Sequence, residues 1–133
     1  MAVRRLLYID DNEDSRILVE FVLESQTNWE VLTACDGVEG ITKAETERPD
    51  VILLDFIMPG LDGIAVLEVL KSNLFTCSIP VIFVTAMVET KLLSLLENTL
   101  AEGVITKPFD VINLDSQIAE ICEWKTISYF DLF

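Results

Sequence analysis

The sequence contains no histidine and few basic residues. Against 9 lysines and arginines stand 23 aspartates and glutamates among 133 residues, which gives a formal net charge of −14. Without histidine, the chain by itself cannot form a Ser-His-Asp triad, a Cys-His dyad or a histidine-ligated zinc or haem site. The acidic balance argues against direct binding to nucleic acid, because the phosphate backbone would be repelled. Chemistry that uses carboxylates and a hard cation remains open.

Cysteine and long apolar runs are also scarce. The three cysteines, Cys35, Cys77 and Cys122, form no Cys-x-x-Cys pair, so zinc and redox motifs lack support. Buried free thiols in a reducing compartment are the better interpretation. No apolar run approaches the roughly 20 residues of a membrane span, and the stretch before Asp10 is too short for a signal peptide. We therefore expect a cytoplasmic protein with no membrane contact.

Apolar residues make up 51% of the chain and are arranged as alternating strands and helices. The predicted strands are Leu6–Ile9, Glu30–Ala34, Val51–Leu54, Pro80–Val84 and Val104–Thr106. Such strands, apolar on both faces, are typical of parallel sheets covered by helices on both sides. With five helices between and after them, they predict one doubly wound α/β domain.

Caps and apolar spacing predict the five helices. The first follows a cap at Asn12, and its apolar positions are Ile17, Leu18, Phe21 and Val22. The second opens at Asp36-Gly37 and ends near Arg48, before Pro49, and the third follows a cap at Asp62. The last two are expected over about 89–100 and about 111–125.

Polar side chains stand at the ends of the predicted strands. Asp10 and Asp11 end the first strand, Asp55 the third, Thr85 the fourth and Lys107 the fifth. In an open parallel sheet these strand ends lie on one edge, where ligands bind in this class of fold. Any one of these residues alone is more simply a helix cap, a strand-end hydroxyl or a surface charge. Their joint placement predicts a site.

Clustered carboxylates repel one another unless a cation joins them. Mg²⁺ fits, because it combines one or two carboxylates with waters and phosphate oxygens. Asp55 ends a central strand and is the best-presented nucleophile for attack on phosphorus, which would give an aspartyl phosphate. Lys107 and Thr85 would then contact phosphoryl oxygens.

The sequence resembles the receiver domain of two-component response regulators over about Arg4 to Lys125. The matching motifs are Leu7-Tyr8-Ile9-Asp10-Asp11, the segment from Leu54 to Gly63, Val84-Thr85-Ala86 and Lys107-Pro108-Phe109. The resemblance implies a flavodoxin-like fold with strand order 2-1-3-4-5. Residues 1–125 are then the receiver domain, and residues 126–133 are an apolar C-terminal tail.

The resemblance also implies roles for the site residues. Asp55 is the phosphoacceptor, Thr85 the switch hydroxyl, and Lys107 bridges to the Asp55 carboxylate or its phosphate. Mg²⁺ is bound by Asp11, Asp55 and the backbone carbonyl of Ile57, while Asp10 acts mainly through a water. The backbone at Ile57 and Ala86 contacts the phosphoryl group, and the Lys107-Pro108 bond is often cis. The phosphoryl donor is a sensor histidine kinase or a histidine phosphotransfer protein, so the missing histidine belongs to the partner.

Three positions bear on how the switch and the hydrolysis of the phosphoryl group would work in this chain. Val104 stands where the family often has the aromatic partner of the switch hydroxyl, so a Thr–aromatic switch cannot operate in its usual form. Ile57 and Met87 are apolar at positions that influence hydrolysis in the family. Because neither side chain can orient a water by hydrogen bonding, we expect slow self-dephosphorylation; the alternative is that both are only packing residues.

The expected function is a signalling module rather than an enzyme acting on a free substrate. Its output partner is unknown, and a homodimer is possible through the Leu92–Leu100 helix, the last helix or the C-terminal tail. One alternative is the receiver part of a longer regulator with a DNA-binding or enzymatic output domain. Another is an aspartate-nucleophile phosphatase, which generally has a second acid two residues after the nucleophile, where this chain has Ile57.

Overall fold

The central sheet of the computed structural model is parallel throughout. The structure describes residues 3–86 and 89–124, but not the side chains of Glu89, Leu92, Leu93 and Leu95. Within those ranges, the strands are β1 (Arg5–Ile9), β2 (Glu30–Ala34), β3 (Val51–Asp55), β4 (Val81–Thr85) and β5 (Gly103–Thr106). The helices there are α1 (Glu13–Gln26), α2 (Gly37–Glu47), α3 (Gly63–Ser72), α4 (Glu89–Asn98) and α5 (Leu114–Ile121).

The strand order is β2-β1-β3-β4-β5, which confirms the predicted doubly wound fold. β1 and β3 are neighbours, with Ile9 opposite Leu54. β3 pairs with β4 through Asp55 and Val84, and β4 pairs with β5 through Thr85 and Thr106. The carboxyl ends of β1, β3, β4 and β5 therefore lie along one edge, called here the acidic edge.

Alternate residues of each strand face opposite sides of the sheet. On one side, strand residues such as Leu7 and Leu54 pack with α2 and α3; on the other, Leu6, Tyr8 and Leu53 pack with α1 and α5. Both faces are covered by helices, which explains why β3 and β4 are buried along their whole length.

The predicted caps at Asn12 and Asp62 are confirmed, and Asp36 caps the helix predicted to open there. The side chains of Asn12, Asp36 and Asp62 accept hydrogen bonds from the backbone N–H groups of Ser15, Glu39 and Ala65. Each satisfies a donor that the first helical turn leaves without an intrahelical partner. No helix within the described residues is long and apolar enough to span a membrane.

α1 buries a different stripe from the one indicated by its sequence. Val19 and Leu23 face the core, whereas the side chains of Ile17, Leu18 and Phe21 are 57%, 51% and 70% exposed. The guanidinium of Arg16 donates to the backbone carbonyl of Asp10 at 2.7 Å. Arg16 therefore lies on the side of α1 near the acidic edge, whereas Ile17, Leu18 and Phe21 face outward.

The last helix is shorter than predicted. Residues 111–113 form a 3-10 turn and α5 covers only Leu114–Ile121, so the expected span from 111 to 125 is wrong. The helix ends because Glu123 has a left-handed backbone (φ +56°), and the Trp124 N–H turns back to the Ala119 carbonyl. Lys125 and the tail, residues 126–133, lie outside the described residues, so the domain boundary stays a prediction.

The three cysteines are free, as expected, but the burial expected for their thiols is wrong. Cys35 and Cys77 are exposed, because they lie in the connections after β2 and α3, and Cys122 is half-buried at the end of α5. α4 ends at Asn98, two residues before the predicted end, and Leu100 beyond it is 68% exposed. A dimer surface at Leu92–Leu100 stays a prediction.

Both tryptophans lie at the edge of the sheet opposite the acidic edge. Trp29 precedes β2, and Trp124 follows α5, which runs antiparallel to the strands. Their rings meet edge to face with centroids 5.5 Å apart. The guanidinium of Arg4 lies 4.3 Å from the centre of the Trp124 ring, so a cation–π contact completes the cluster.

Candidate functional site

Three carboxylates converge on the acidic edge. One oxygen from each of Asp10, Asp11 and Asp55 lies within 4.8 Å of the other two. Asp10 is fully buried and Asp55 is 6% exposed, whereas Asp11 is open to solvent. The sequence places them together because Asp10 and Asp11 follow β1 and Asp55 ends β3, the strand beside it.

Lys107 supplies the positive charge at this edge. Its Nζ atom lies 3.2 Å from Asp55 Oδ2 and 3.4 Å from Asp10 Oδ2. The Lys107 backbone N–H donates to the carbonyl of Thr85 at 2.8 Å, and this bond holds the backbone of Lys107 beside the end of β4. The Lys107-Pro108 peptide bond is cis, as the resemblance implied.

Asp10 is enclosed by hydrogen-bond donors. Its Oδ1 accepts from the backbone N–H of Asn12 at 2.9 Å. Its Oδ2 accepts from the hydroxyl of Tyr8 at 2.5 Å and from Lys107. Both oxygens of Asp10 are therefore engaged by protein donors, and its expected water-mediated contact with Mg²⁺ stays a prediction.

Asp55 stands beside a structured loop. Its Oδ1 accepts from the Ile57 backbone N–H at 3.3 Å, and the Phe56 N–H donates to the Val84 carbonyl at 3.0 Å. The Ile57 side chain is 72% exposed. The expected backbone contacts of Ile57 and Ala86 with a phosphoryl group stay predictions.

The remaining predicted site residues lie on or after β4 and on β5. Thr85 is 2% exposed at the end of β4, next to the strand that ends in Asp55. Val104 is half-buried and packs against the core cluster on the α2 and α3 side of the sheet, opposite Phe83. Met87 lies outside the described residues, so its expected influence on hydrolysis stays a prediction.

The surroundings shift the pKa values of the charged groups. Burial raises the pKa of Asp55, and the charge of Asp10 adds to it, so the upward shift outweighs the attraction of Lys107. Burial also acts to raise the pKa of Asp10. The hydrogen bonds from Tyr8 and the Asn12 N–H, together with the charge of Lys107, outweigh burial and lower the pKa overall. Burial lowers the pKa of Lys107, yet the two carboxylates outweigh this and raise it.

The donor set fits Mg²⁺. Mg²⁺ prefers oxygen ligands and usually keeps several waters while it binds one or two carboxylates. Asp11 and Asp55 offer those carboxylates, and the exposure of Asp11 leaves room for water. The single ammonium of Lys107 leaves the three carboxylates with excess negative charge, which a divalent cation would balance.

Three partners of Asp10 were not predicted from the sequence: the Tyr8 hydroxyl, the Asn12 N–H and the Arg16 guanidinium, which donates to the Asp10 carbonyl. A signal existed for Tyr8, because residues two apart in an extended strand point to the same face. Nothing comparable indicated that Arg16 would reach back to the end of β1.

Comparisons with known proteins match most of the chain. A family model described as "Response regulator receiver domain" matches residues 6–119. The chain is 36% identical over 127 residues to the alkaline phosphatase synthesis transcriptional regulatory protein PhoP of Bacillus subtilis, covering 94% of the chain and 51% of PhoP. It is 36% identical over 124 residues to the response regulator PleD of Caulobacter vibrioides, covering 92% of the chain and 27% of PleD.

Among solved structures, the chemotaxis response regulator CheY4 of Vibrio cholerae superposes with a TM-score of 0.83 at 27% sequence identity. The match covers 90% of this chain and 99% of CheY4. In contrast, the chain spans about half the length of PhoP and about a quarter of PleD.

Proposed function

The chain belongs to the response regulator receiver domain family, and from this premise we propose that Asp55 accepts a phosphoryl group with the help of Mg²⁺. Receiver domains are signalling domains of two-component systems and generally not enzymes. One observation carries the proposal: the Asp55 carboxylate ends β3, within 4.8 Å of the Asp10 and Asp11 oxygens and 3.2 Å from the Lys107 ammonium.

The residues divide the chemistry between them. A carboxylate oxygen of Asp55 forms a bond to phosphorus while the bond between phosphorus and the donor breaks. The electron pair of the broken bond leaves with the donor. Lys107 stays protonated and offsets charge on the phosphoryl oxygens, and Thr85 donates a hydrogen bond to one of them. When bound by Asp11, Asp55 and the Ile57 carbonyl, with Asp10 acting through water, Mg²⁺ supplies further charge stabilisation.

The phosphoryl donor in this proposal is a phosphohistidine on a sensor histidine kinase or phosphotransfer protein in the cytoplasm. Phosphorylation then shifts the population between two surface states with different affinity for a partner. Val104 lacks the aromatic ring of the usual switch. We therefore propose that Thr85 still moves and that a smaller repacking of Val104 against α4 transmits the change.

A second candidate is the receiver part of a longer regulator. It is favoured by the length of PhoP and PleD, of which this chain matches 51% and 27%. Sequencing the coding region on both sides of this segment tests it. A phosphatase for free esters is disfavoured, because Ile57 cannot supply the second acid and its exposed side chain has no proton to donate.

We expect the protein to gain the mass of one phosphoryl group when it is incubated with acetyl phosphate and Mg²⁺. Intact mass spectrometry measures the gain, and peptide mapping after borohydride reduction locates it at Asp55. The matched control contains EDTA and should show no gain, because the carboxylates then repel the incoming phosphate. A gain that is equal with EDTA, or that maps elsewhere, contradicts the proposal.

Replacing the exposed Ile57 by Asn should speed decay of the phosphorylated protein about 3- to 10-fold, because an amide can orient an attacking water and an alkyl group cannot. Intact mass spectrometry after removal of acetyl phosphate gives the decay rate. Leu74→Asn is the control, since Leu74 is 91% exposed and lies in the connection that leads into the amino end of β4, away from the acidic edge. Equal decay of Ile57→Asn and wild type would leave Ile57 as a packing residue.

A further inference from the structure

Tyr8 places a hydroxyl group at the acidic edge from inside the core. The residue is fully buried in β1, between Leu7 and Ile9. Because Tyr8 and Asp10 are two positions apart in an extended segment, they face the same side of the sheet. The hydroxyl donates to Asp10 Oδ2 at 2.5 Å. A phenylalanine would fill the same core volume, so packing alone does not call for the hydroxyl.

The oxygen that Tyr8 contacts is also one of the two that hold Lys107. The ammonium lies 3.4 Å from Asp10 Oδ2 and 3.2 Å from Asp55 Oδ2. If Lys107 were the only donor to Asp10 Oδ2, moving it away would leave a fully buried carboxylate oxygen without a partner. Such an oxygen is costly to leave unpaired. Lys107 would then be held to Asp10.

We infer that Tyr8 is a positioning residue that frees Lys107 for the phosphoryl group. The inference rests on the proposed function at Asp55. By satisfying Asp10 Oδ2, the hydroxyl keeps Asp10 paired when the ammonium moves to an oxygen of the transferring group. Tyr8 gives up no proton and forms no bond to phosphorus. The bond from Asp55 to phosphorus forms as the donor's bond to phosphorus breaks, and with acetyl phosphate the electron pair leaves on acetate.

Tyr8→Phe tests this role, because it deletes only the hydroxyl. At saturating Mg²⁺, the rate of phosphorylation by acetyl phosphate should fall about 10- to 100-fold, the size of one hydrogen bond to a charged group. Thr76→Val is the matched control: Thr76 is also fully buried, and its hydroxyl donates to the Leu70 carbonyl at 2.6 Å, away from the acidic edge. Its rate should equal that of wild type.

A double-mutant cycle separates action through Lys107 from a general structural effect. In a Lys107→Ala background, adding Tyr8→Phe should change the phosphorylation rate less than twofold, because the group that Tyr8 releases is gone. An equal fold-loss in both backgrounds, or no loss in the wild-type background, would overturn the inference.

Calorimetric titration with Mg²⁺ alone gives a readout that does not depend on phosphorylation. The dissociation constants of Tyr8→Phe and wild type should agree within about threefold, because Tyr8 contacts only Asp10, which in the proposal reaches Mg²⁺ through a water, and none of the direct metal ligands. A larger change would assign Tyr8 to metal binding instead and overturn the inference. Failure of the proposed function looks different, since wild type itself would then take up no phosphoryl group.

Discussion

Asp55→Asn should reduce phosphorylation by acetyl phosphate by about 10³-fold or more, because an amide is not a nucleophile toward phosphorus. Intact mass spectrometry under conditions that label wild type measures the loss. Asp36→Asn is the matched control, because asparagine caps a helix as well as aspartate does and Asp36 caps α2 rather than ending a sheet strand. Labelling of Asp55→Asn at the wild-type rate would move the acceptor to another residue.

The same variant should be more stable than wild type without Mg²⁺ at neutral pH. Folding raises the pKa of Asp55, through burial and the charge of Asp10, so the ionised carboxylate costs stability above its folded-state pKa. The neutral amide removes that cost. Chemical denaturation should show the advantage of Asp55→Asn shrinking as the pH falls through the folded-state pKa, where wild type becomes neutral as well. A stability advantage of Asp55→Asn that grows toward low pH would contradict the raised pKa of Asp55.

Lys107→Ala should slow phosphorylation about 10²-fold, the usual effect of removing one preorganised charge beside a transferring group. Lys107 is the cation that the structure places between the Asp10 and Asp55 oxygens. Without Mg²⁺, the variant should also lose about 1–3 kcal/mol of unfolding free energy, less than a fully buried pair would lose, because 31% of the Lys107 side chain is exposed.

Adding Mg²⁺ should restore more stability to Lys107→Ala than to wild type, because the ion replaces the missing positive charge. Lys71→Ala is the control: its ammonium donates to the carbonyls of Cys77 and Ile79, in the connection before β4. It should lose stability but keep the phosphorylation rate. If both lysine variants slowed phosphorylation equally, the special role of Lys107 would be wrong.

The fold could be predicted because its signals are local. Five apolar segments give the strands, and caps such as Asn12 and Asp62 begin the helices where the sequence places them. The convergence of Asp10, Asp55 and Lys107 then follows from strand order, since parallel strands bring their carboxyl ends to one edge. Their functional roles come from the resemblance and await the experiments above.

What could not be predicted depends on contacts between elements. The inward stripe of α1 is set by how the helix packs against the sheet, where Val19 and Leu23 join the core and Arg16 contacts the Asp10 carbonyl. The end of α5 depends on the turn at Glu123, which folds Trp124 back toward Trp29. Apolar spacing alone carries neither signal.

The tryptophan cluster determines what can be seen by optical spectroscopy. The sequence contains two tryptophans, and both lie at the edge of the sheet remote from Asp55. We therefore expect their emission to report on unfolding and on the end of α5 rather than on occupancy of the acidic edge. A tryptophan introduced beside Asp55 would report on metal or phosphoryl binding, and Phe56, the aromatic residue next to Asp55, is the natural position for it.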